Sequence, residues 1–567
     1  MSILRLQNNK GVALAISLFV VVIILVLGSA FIIRSVSEKS MSDRERASTQ
    51  SFYIADGGSQ AALSQIDTLI NTNLLNTVNG TNPQTVANDA QSYMNSADSL
   101  GFLIKYVKLN GTAQFVLVGT QAKYTGTTTT FGSGNYRFDI YVSKKGNPVT
   151  VSTDVWDFPY YYRVEATGAG TSVAHKIALT GDFTVRVQRD NFAKYALFTD
   201  HHTMPSGSTV WFTNFTNFSG PLHTNEQYAF AKNPSGTFSS TVTQQNTKGR
   251  FYNNGSPVQI DAASNPPYDV PTFNATYTRG VAQIVLASSV QKQDLINQAR
   301  GTDTTTGNGI FVANNGTSLT GGIYVNGSST LSLAVSNNNA VYTVVQGATT
   351  KTITVDIANN QTTVQTQGGG SVTYTGQPKG VDGLGTIIYV NGAINSIAGT
   401  VQKDTEATIS SENDIVITNT IKYTEYTPAV GTPGQAGYVP PNADGKTNLL
   451  GMLSWGGNVR IGTAAPNNIE IHGPVMARNG IFTVDNYNSG SPRGSATLLG
   501  GVITQFYGAF GTFNGSTGQQ STGYGRNFVY DDRVAAGKSP PYFPTMTTFV
   551  AFTNDIVDKV TWQEGGF

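Results

Sequence analysis

Residues 11–33 read GVALAISLFVVVIILVLGSAFII, an apolar run with no charged residue and only Ser17 and Ser29 as polar side chains. As a helix it would measure roughly 33 Å, enough to cross a hydrocarbon core of about 30 Å. Arg5 and Lys10 precede it, while Arg34, Lys39, Arg44 and Arg46 follow, mixed with Glu38, Asp43 and Glu45. Charge alone therefore leaves its orientation open. A secretory signal peptide cut after Ala30 is the competing reading, although the apolar core of such a peptide runs only about 7 to 15 residues.

The helical pattern continues beyond the apolar run. Phe52, Ala55, Ser59, Ala62, Ile66 and Leu69 recur at steps of three and four, and no proline occurs before Pro83. One continuous helix over 12–75 is predicted, with 12–33 transmembrane. Apolar all round at first and amphipathic afterwards, it suits lipid at one stage and protein neighbours at another.

Composition bounds the rest. The chain has 567 residues, 12% of them charged, with Lys+Arg 35 against Asp+Glu 34. That balance removes any whole-molecule electrostatic case for nucleic acid or acidic lipid. Hydrophobic residues at 39% with 61 Gly fit a turn-rich β protein, and Cys 0 excludes disulfides, thiolate metal sites and a cysteine nucleophile.

A basic leader ending Lys10-Gly11, an aliphatic run opening Val12-Ala13-Leu14, and QSFYIADGGSQAA at 50–62 together resemble the N-terminus of type IV pilin-like proteins, specifically PilX-type minor pilins. In that family a prepilin peptidase cuts after the glycine and methylates the new terminus, which the resemblance implies are Gly11 and Val12. Filament packing then falls to Leu14, Ile16, Phe19, Val22 and Leu25. Major pilins carry a glutamate five residues into the mature chain, where this sequence has Ile16. A buried carboxylate needs a positive partner, and in pilins that partner is a neighbour's terminal amine. Its absence implies a place at or near the filament tip. The implied partners are major and minor pilins, the prepilin peptidase and the inner-membrane assembly platform. The implied location is the inner membrane, single-pass with a cytoplasmic N-terminus, and after assembly the cell surface.

Residues 76–100 read as a polar connecting loop. From Phe102 the period changes to two, with strands at 114–118, 136–142, 160–166, 171–179 and 183–187 and a hairpin across Gly168-Ala169-Gly170. A long helix and an antiparallel sheet make an α+β, pilin-like domain over 76–192. From 193 to 545 short aliphatic triplets alternate with Gly, Asn and Ser turns, and IYVNG stands at 323–327 and again at 388–392. That interval suits about three coils of roughly twenty residues, so a large all-β domain, a right-handed β-solenoid, is predicted. Strands are expected at 353–357, 407–409, 415–417, 459–461, 469–471 and 481–484. An antiparallel sandwich or jelly roll is the competing fold, and literal repetition favours the solenoid. Residues 1–11 are the leader and 546–567 a C-terminal strand or tail.

Chemistry is sparse. His201, His202, His223 and Glu226 are the nearest thing to a metal set, without HxxxH or HExxH spacing, and ordinary hydrogen-bonding histidines are the simpler reading. Asp531-Asp532 beside Arg533 reads as a structural ion pair. No catalytic spacing or phosphate loop is present, so the chain is predicted to be no enzyme and to need no cofactor. Trp211, Phe212, Phe215 and Phe218, with Lys248 and Arg250, form a candidate aromatic–basic patch for stacking on glycans or on unpaired bases of DNA. The simpler alternative is that these rings are core residues of the first coil. The function expected is a minor pilin presenting a solenoid for adhesion or DNA uptake, similar to the large minor pilins of competence systems. The alternative is a secreted or surface-anchored β-helix protein acting on polysaccharide.

Overall fold

The computed structural model describes residues 10–152, 154–170, 173–213, 216–231, 236–253, 256–261, 268–431, 437–442, 446–514, 517, 519–535, 537–553, 556 and 560–564. Two compact units divide the chain, 1–188 with 548–567, and 189–547.

The first unit is built on the long helix Lys10–Asp67, which continues through a π-helical segment, Thr68–Leu74, into Leu75–Gly80. It thus runs past the expected end at residue 75. Ala55, Ser59, Ala62, Ile66 and Leu69 are fully buried, as their spacing predicts, while Phe52 is half-buried. Full burial of Ile66 or Leu69 contributes about 1.5–3 kcal/mol each.

Residues 76–100 differ from the expected loop. Helices Pro83–Asn95 and Ser99–Tyr106 form there. The Asn82 side chain accepts from the Gln84 and Thr85 amides with Pro83 in the first turn, and Val86 and Ala90 are buried. A cap and two apolar contacts are enough to fix a polar helix.

The sheet under the helix is antiparallel through its centre. Gly134–Lys144 pairs with Val155–Ala169, which pairs along its length with Ala174–Asn191. The last is one 18-residue strand where two shorter ones were expected. The other edge of Ala174–Asn191 receives two C-terminal strands, Thr545–Thr553 and Thr561–Glu564. The chain therefore leaves this sheet on one strand and returns on its neighbour.

Helix and sheet approach closely because small residues line the seam. A Cβ on Gly168 would overlap the backbone of Ser51 and Ala55, and one on Gly58 would come within 2.9 Å of the Tyr136 Cβ.

Among its described residues the second unit is all-β apart from Ser289–Arg300 and short helical turns. One ladder has eleven strands, ten of them joined in parallel. The chain enters at its middle with Leu197–His201 and steps through Leu222–Thr224 and Val242–Gln244 to Tyr277–Arg279 at one end. It resumes at the opposite end with Gly309–Asn314, antiparallel to Leu319–Asn326. From there it steps back to Val502–Phe506, which pairs with the entry strand as Leu197↔Val502 and Thr199↔Thr504. Every parallel step advances in the same sense.

A second ladder carries Ile394–Val401, Ile415–Tyr423, Glu470–His472, Pro492–Leu499 and Gln520–Val529 as parallel neighbours. Ile388, Ile397, Ile409, Ile417 and Met452 from the two ladders share one buried core.

The repeated IYVNG segments stack directly on one another, Ile323↔Ile388 through Asn326↔Asn391. Their tyrosine rings lie 6.1 Å apart and nearly parallel, and Asn391 Nδ2 donates to Asn326 Oδ1 at 2.8 Å. The expectation of three coils between them fails. Most of the intervening chain is an antiparallel meander, Ser329–Ser336, Asn339–Gln346, Thr349–Asp356, Gln361–Thr366 and Ser371–Thr375. Asn337 and Asn338 have φ of +49° and +64°, the tight-hairpin conformation that reverses a strand instead of advancing a coil.

Gly168→Leu should force the helix off the sheet and destabilise the first unit by about 1–3 kcal/mol, read as a shifted urea midpoint of Trp156 fluorescence. An unchanged midpoint would mean that the seam does not depend on this contact.

Candidate functional site

In the first unit the feature open to partners is the leading half of the helix. From Val12 to Ile33 its large apolar side chains are exposed, between 41% at Ile23 and 72% at Leu14 and Phe31. Ile16, Phe19, Val22 and Leu25 stand 48–66% exposed and Val12 60%. The two hydroxyls in the run turn back on the helix, Ser17 Oγ to the Leu14 carbonyl at 2.9 Å and Ser29 Oγ to the Val26 carbonyl at 2.8 Å. No donor is left facing outward, which suits a medium without water. By length and composition the helix is able to cross a membrane, a property it shares with signal sequences.

In the second unit the expected aromatic–basic patch divides. Phe212 and Phe218 are 0% and 3% exposed and belong to the core. They pack against Phe230 and Phe238 at 5.6–6.1 Å between ring centres, so stacking on a ligand is denied to them. Phe215 lies outside the described residues. Trp211 remains half-buried at the surface, with the Arg250 guanidinium 5.3 Å over its ring and Tyr252 edge-on at 5.7 Å. Arg250 Nη1 donates to Thr209 Oγ1 at 3.1 Å. Lys248 is exposed, and its backbone carbonyl accepts from Gln227 and Gln244. What remains at the surface is a facet of Trp211, Arg250 and Tyr252, in which the cation already lies over the indole.

The histidines do not converge on a metal site. No group of three metal-capable side chains occurs among the described residues. The His223 ring contacts Thr243 Oγ1 and Asn225 Oδ1, each at 2.9 Å, and His201 stacks on Phe506.

His202 is 1% exposed inside an aromatic box, stacked on Tyr507 at 4.9 Å with Phe212 and Tyr228 edge-on at 4.7 Å. The Arg526 guanidinium covers the other ring in this group, 4.7 Å from the Tyr507 centre. Burial first and the Arg526 charge second push the His202 pKa down to about 3, against a smaller opposing effect of the Val210 backbone. Neither His202 nitrogen, nor the Tyr228 and Tyr507 hydroxyls, nor Arg526 Nε makes a hydrogen bond of normal geometry. The adjacent His201-His202 was visible in sequence. Tyr507 and Arg526 were not, because Tyr507 is brought near by the pairing of Leu197–His201 with Val502–Phe506, and Arg526 reaches over from Gln520–Val529 in the other ladder, donating to the Gly508 carbonyl.

Asp531 and Arg533 form a two-pronged ion pair at 2.6 and 2.9 Å, and Arg533 also donates to the Lys446 and Asn448 carbonyls. The side chains are 1% and 9% exposed, so the pair is sealed within the fold.

Residues 157–246 match the family model described as a domain of unknown function (DUF4900). The match spans the passage from the sheet of the first unit through the opening strands of the second, and includes His202, Trp211 and His223. No curated protein and no solved structure matches the chain.

Stability of the second unit should fall with acid before carboxylates titrate. His202 and His472, the latter pushed down to about 4 chiefly by burial, stay neutral when folded and take up protons when unfolded below about pH 6.5. Each therefore withdraws up to about 1.4 kcal/mol per pH unit from that point down to its folded pKa. His202→Phe should flatten the dependence of the urea midpoint between about pH 6.5 and 4 relative to the parent; an unaltered slope would refute the buried neutral ring.

Proposed function

We propose that this chain is a PilX-type minor pilin, a single-pass inner-membrane protein that enters a type IV pilus through its leading helix. The supporting observation is the division of one helix into an exposed apolar half, Val12 to Ile33, and a half buried on an antiparallel sheet. That division suits a stem exchanged between lipid and the helical core of a filament. Both surroundings are apolar, so the drive comes from close helix contact and from the assembly machinery rather than from expulsion of water. Gly11 and Val12 are the processing site in this reading, with prepilin peptidase, other pilins and the assembly platform as partners.

Ile16 cannot neutralise a neighbour's terminal amine, which favours a place at or near the tip. The second unit is then the presented domain. We read its two ladders as faces of one β-solenoid, supported by their parallel steps of equal sense and shared core. Adhesion or DNA uptake follows, with Trp211, Arg250 and Tyr252 as the contact for a sugar or an unpaired base.

Mass analysis of the N-terminus should find the chain beginning at methylated Val12, and Gly11→Val should retain the leader and keep the protein out of sheared filaments. A chain beginning at Phe31 and free in culture fluid would instead support the secreted β-helix alternative. Trp211→Ala should lower binding of residues 34–567 to single-stranded DNA or arrayed glycans; unchanged signals throughout would remove the facet from consideration.

A further inference from the structure

Three segments of the first unit converge where the long helix meets its sheet. Ser48 comes from Lys10–Asp67, His175 from Ala174–Asn191, and Glu564 from the C-terminal strand Thr561–Glu564. Gly168 is the cross-strand partner of His175, and its missing Cβ lets the helix backbone at Ser51 and Ala55 come down onto this strand pair. That approach sets Ser48 Oγ 2.8 Å from His175 Nε2. On the other side of the ring, Nδ1 lies 3.4 Å from Glu564 Oε1.

We infer that Ser48, His175 and Glu564 form a nucleophile relay that cleaves esters of apolar carboxylic acids. Three observations carry it. First, the order of groups is the one acyl transfer needs: hydroxyl, Nε2, Nδ1, carboxylate. A carboxylate beside Nδ1 favours the tautomer with its proton there, which leaves Nε2 to accept from the serine.

Second, Ser48 departs from the pattern of its neighbours. The hydroxyls of Ser17, Ser29, Ser51 and Ser59 each bond back to the carbonyl three residues earlier. The Ser48 hydroxyl instead bonds to a histidine 127 residues away. A hydroxyl turned onto a helix carbonyl has no base to deprotonate it, whereas this one has. The expectation of no enzyme rested on local spacing, and this group has none.

Third, the group is reachable and has an apolar wall. The His175 and Glu564 side chains are 25% and 45% exposed, and Ser48 is half-buried. Phe52, one turn beyond Ser48, stands edge-on to both His175 and Trp562 at 6.2 Å, and Trp562 is exposed. These rings offer contact area to an acyl chain.

In the reaction Ser48 Oγ bonds to the acyl carbon as the ester C–O bond breaks, and His175 Nε2 passes the serine proton to the departing alcohol. Water then adds to the acyl carbon and gives a proton to Nε2. That proton returns to Ser48 Oγ as the carboxylic acid leaves. Ser48 sits within the helix, so its own amide is committed to the helix ladder and does not hold the oxyanion. Esters with a good leaving group are therefore the class expected to react. Glu564 is a positioning residue that acts through His175. Nothing in this chemistry depends on entry into a filament.

The test treats the full chain, in detergent, with a fluorophosphonate probe, whose phosphorus bonds Ser48 Oγ as fluoride leaves, and locates the label by peptide mass spectrometry. Label at Ser48 is expected, together with release of p-nitrophenol from p-nitrophenyl butyrate. Ser48→Ala and His175→Gln should each lower that release at least about 100-fold. Glu564→Gln should lower kcat about tenfold or more and leave KM unchanged, a split that a merely structural contact would not produce. Should Ser48→Ala melt early, the position of the label in the parent decides alone. Absence of label at Ser48 in the parent, a folded Ser48→Ala variant that hydrolyses the ester like the parent, or an unchanged kcat in Glu564→Gln would each overturn the inference.

Discussion

The second unit depends on one strand pairing, Leu197–His201 against Val502–Phe506. These segments lie some three hundred residues apart in the chain, yet they are adjacent in the ladder. One run of strands extends from this junction to Tyr277–Arg279 and the other to Gly309–Asn314, so the junction makes two stacks into one. Closing so long a loop costs conformational entropy that local contacts cannot offset early, and folding through it is expected to be slow. The box around His202 sits at this junction and lends it apolar area, although several of its polar atoms lack partners.

The first unit answers a different constraint. Its helix presents exposed apolar side chains over one half and packs against strands over the other. In the first half the two serine hydroxyls bond back to helix carbonyls. In the second half glycine and small side chains at the seam let strand and helix backbones approach closely. A larger residue at Gly168 would separate the layers and expose the Ile66 and Leu69 side of the helix.

Sequence reading recovered what short-range periodicity encodes. The buried stripe from Ala55 to Leu69 was legible because it is a pattern repeated along the chain; the repeat of IYVNG was legible too, but its direct stacking was not, since three coils were expected between the copies. It missed what turns and caps encode. Asn82-Pro83 starts a helix in a stretch read as loop, and Asn337-Asn338 reverses a strand where another coil was expected. Aromatic residues were the least legible, since burial is settled by the partner strand: Trp211 reaches the surface while Phe212 beside it is sealed in the core. The group formed by His202, Tyr507 and Arg526 carries no local signal, because the distance between its members in sequence hides it.

The departure of the chain from the first sheet on Ala174–Asn191, and its return on the adjacent strand Thr545–Thr553, means that the inserted domain hangs by two covalent straps rather than one. A protease that cuts one of the two connections leaves residues 189–547 covalently joined to the first unit through the other.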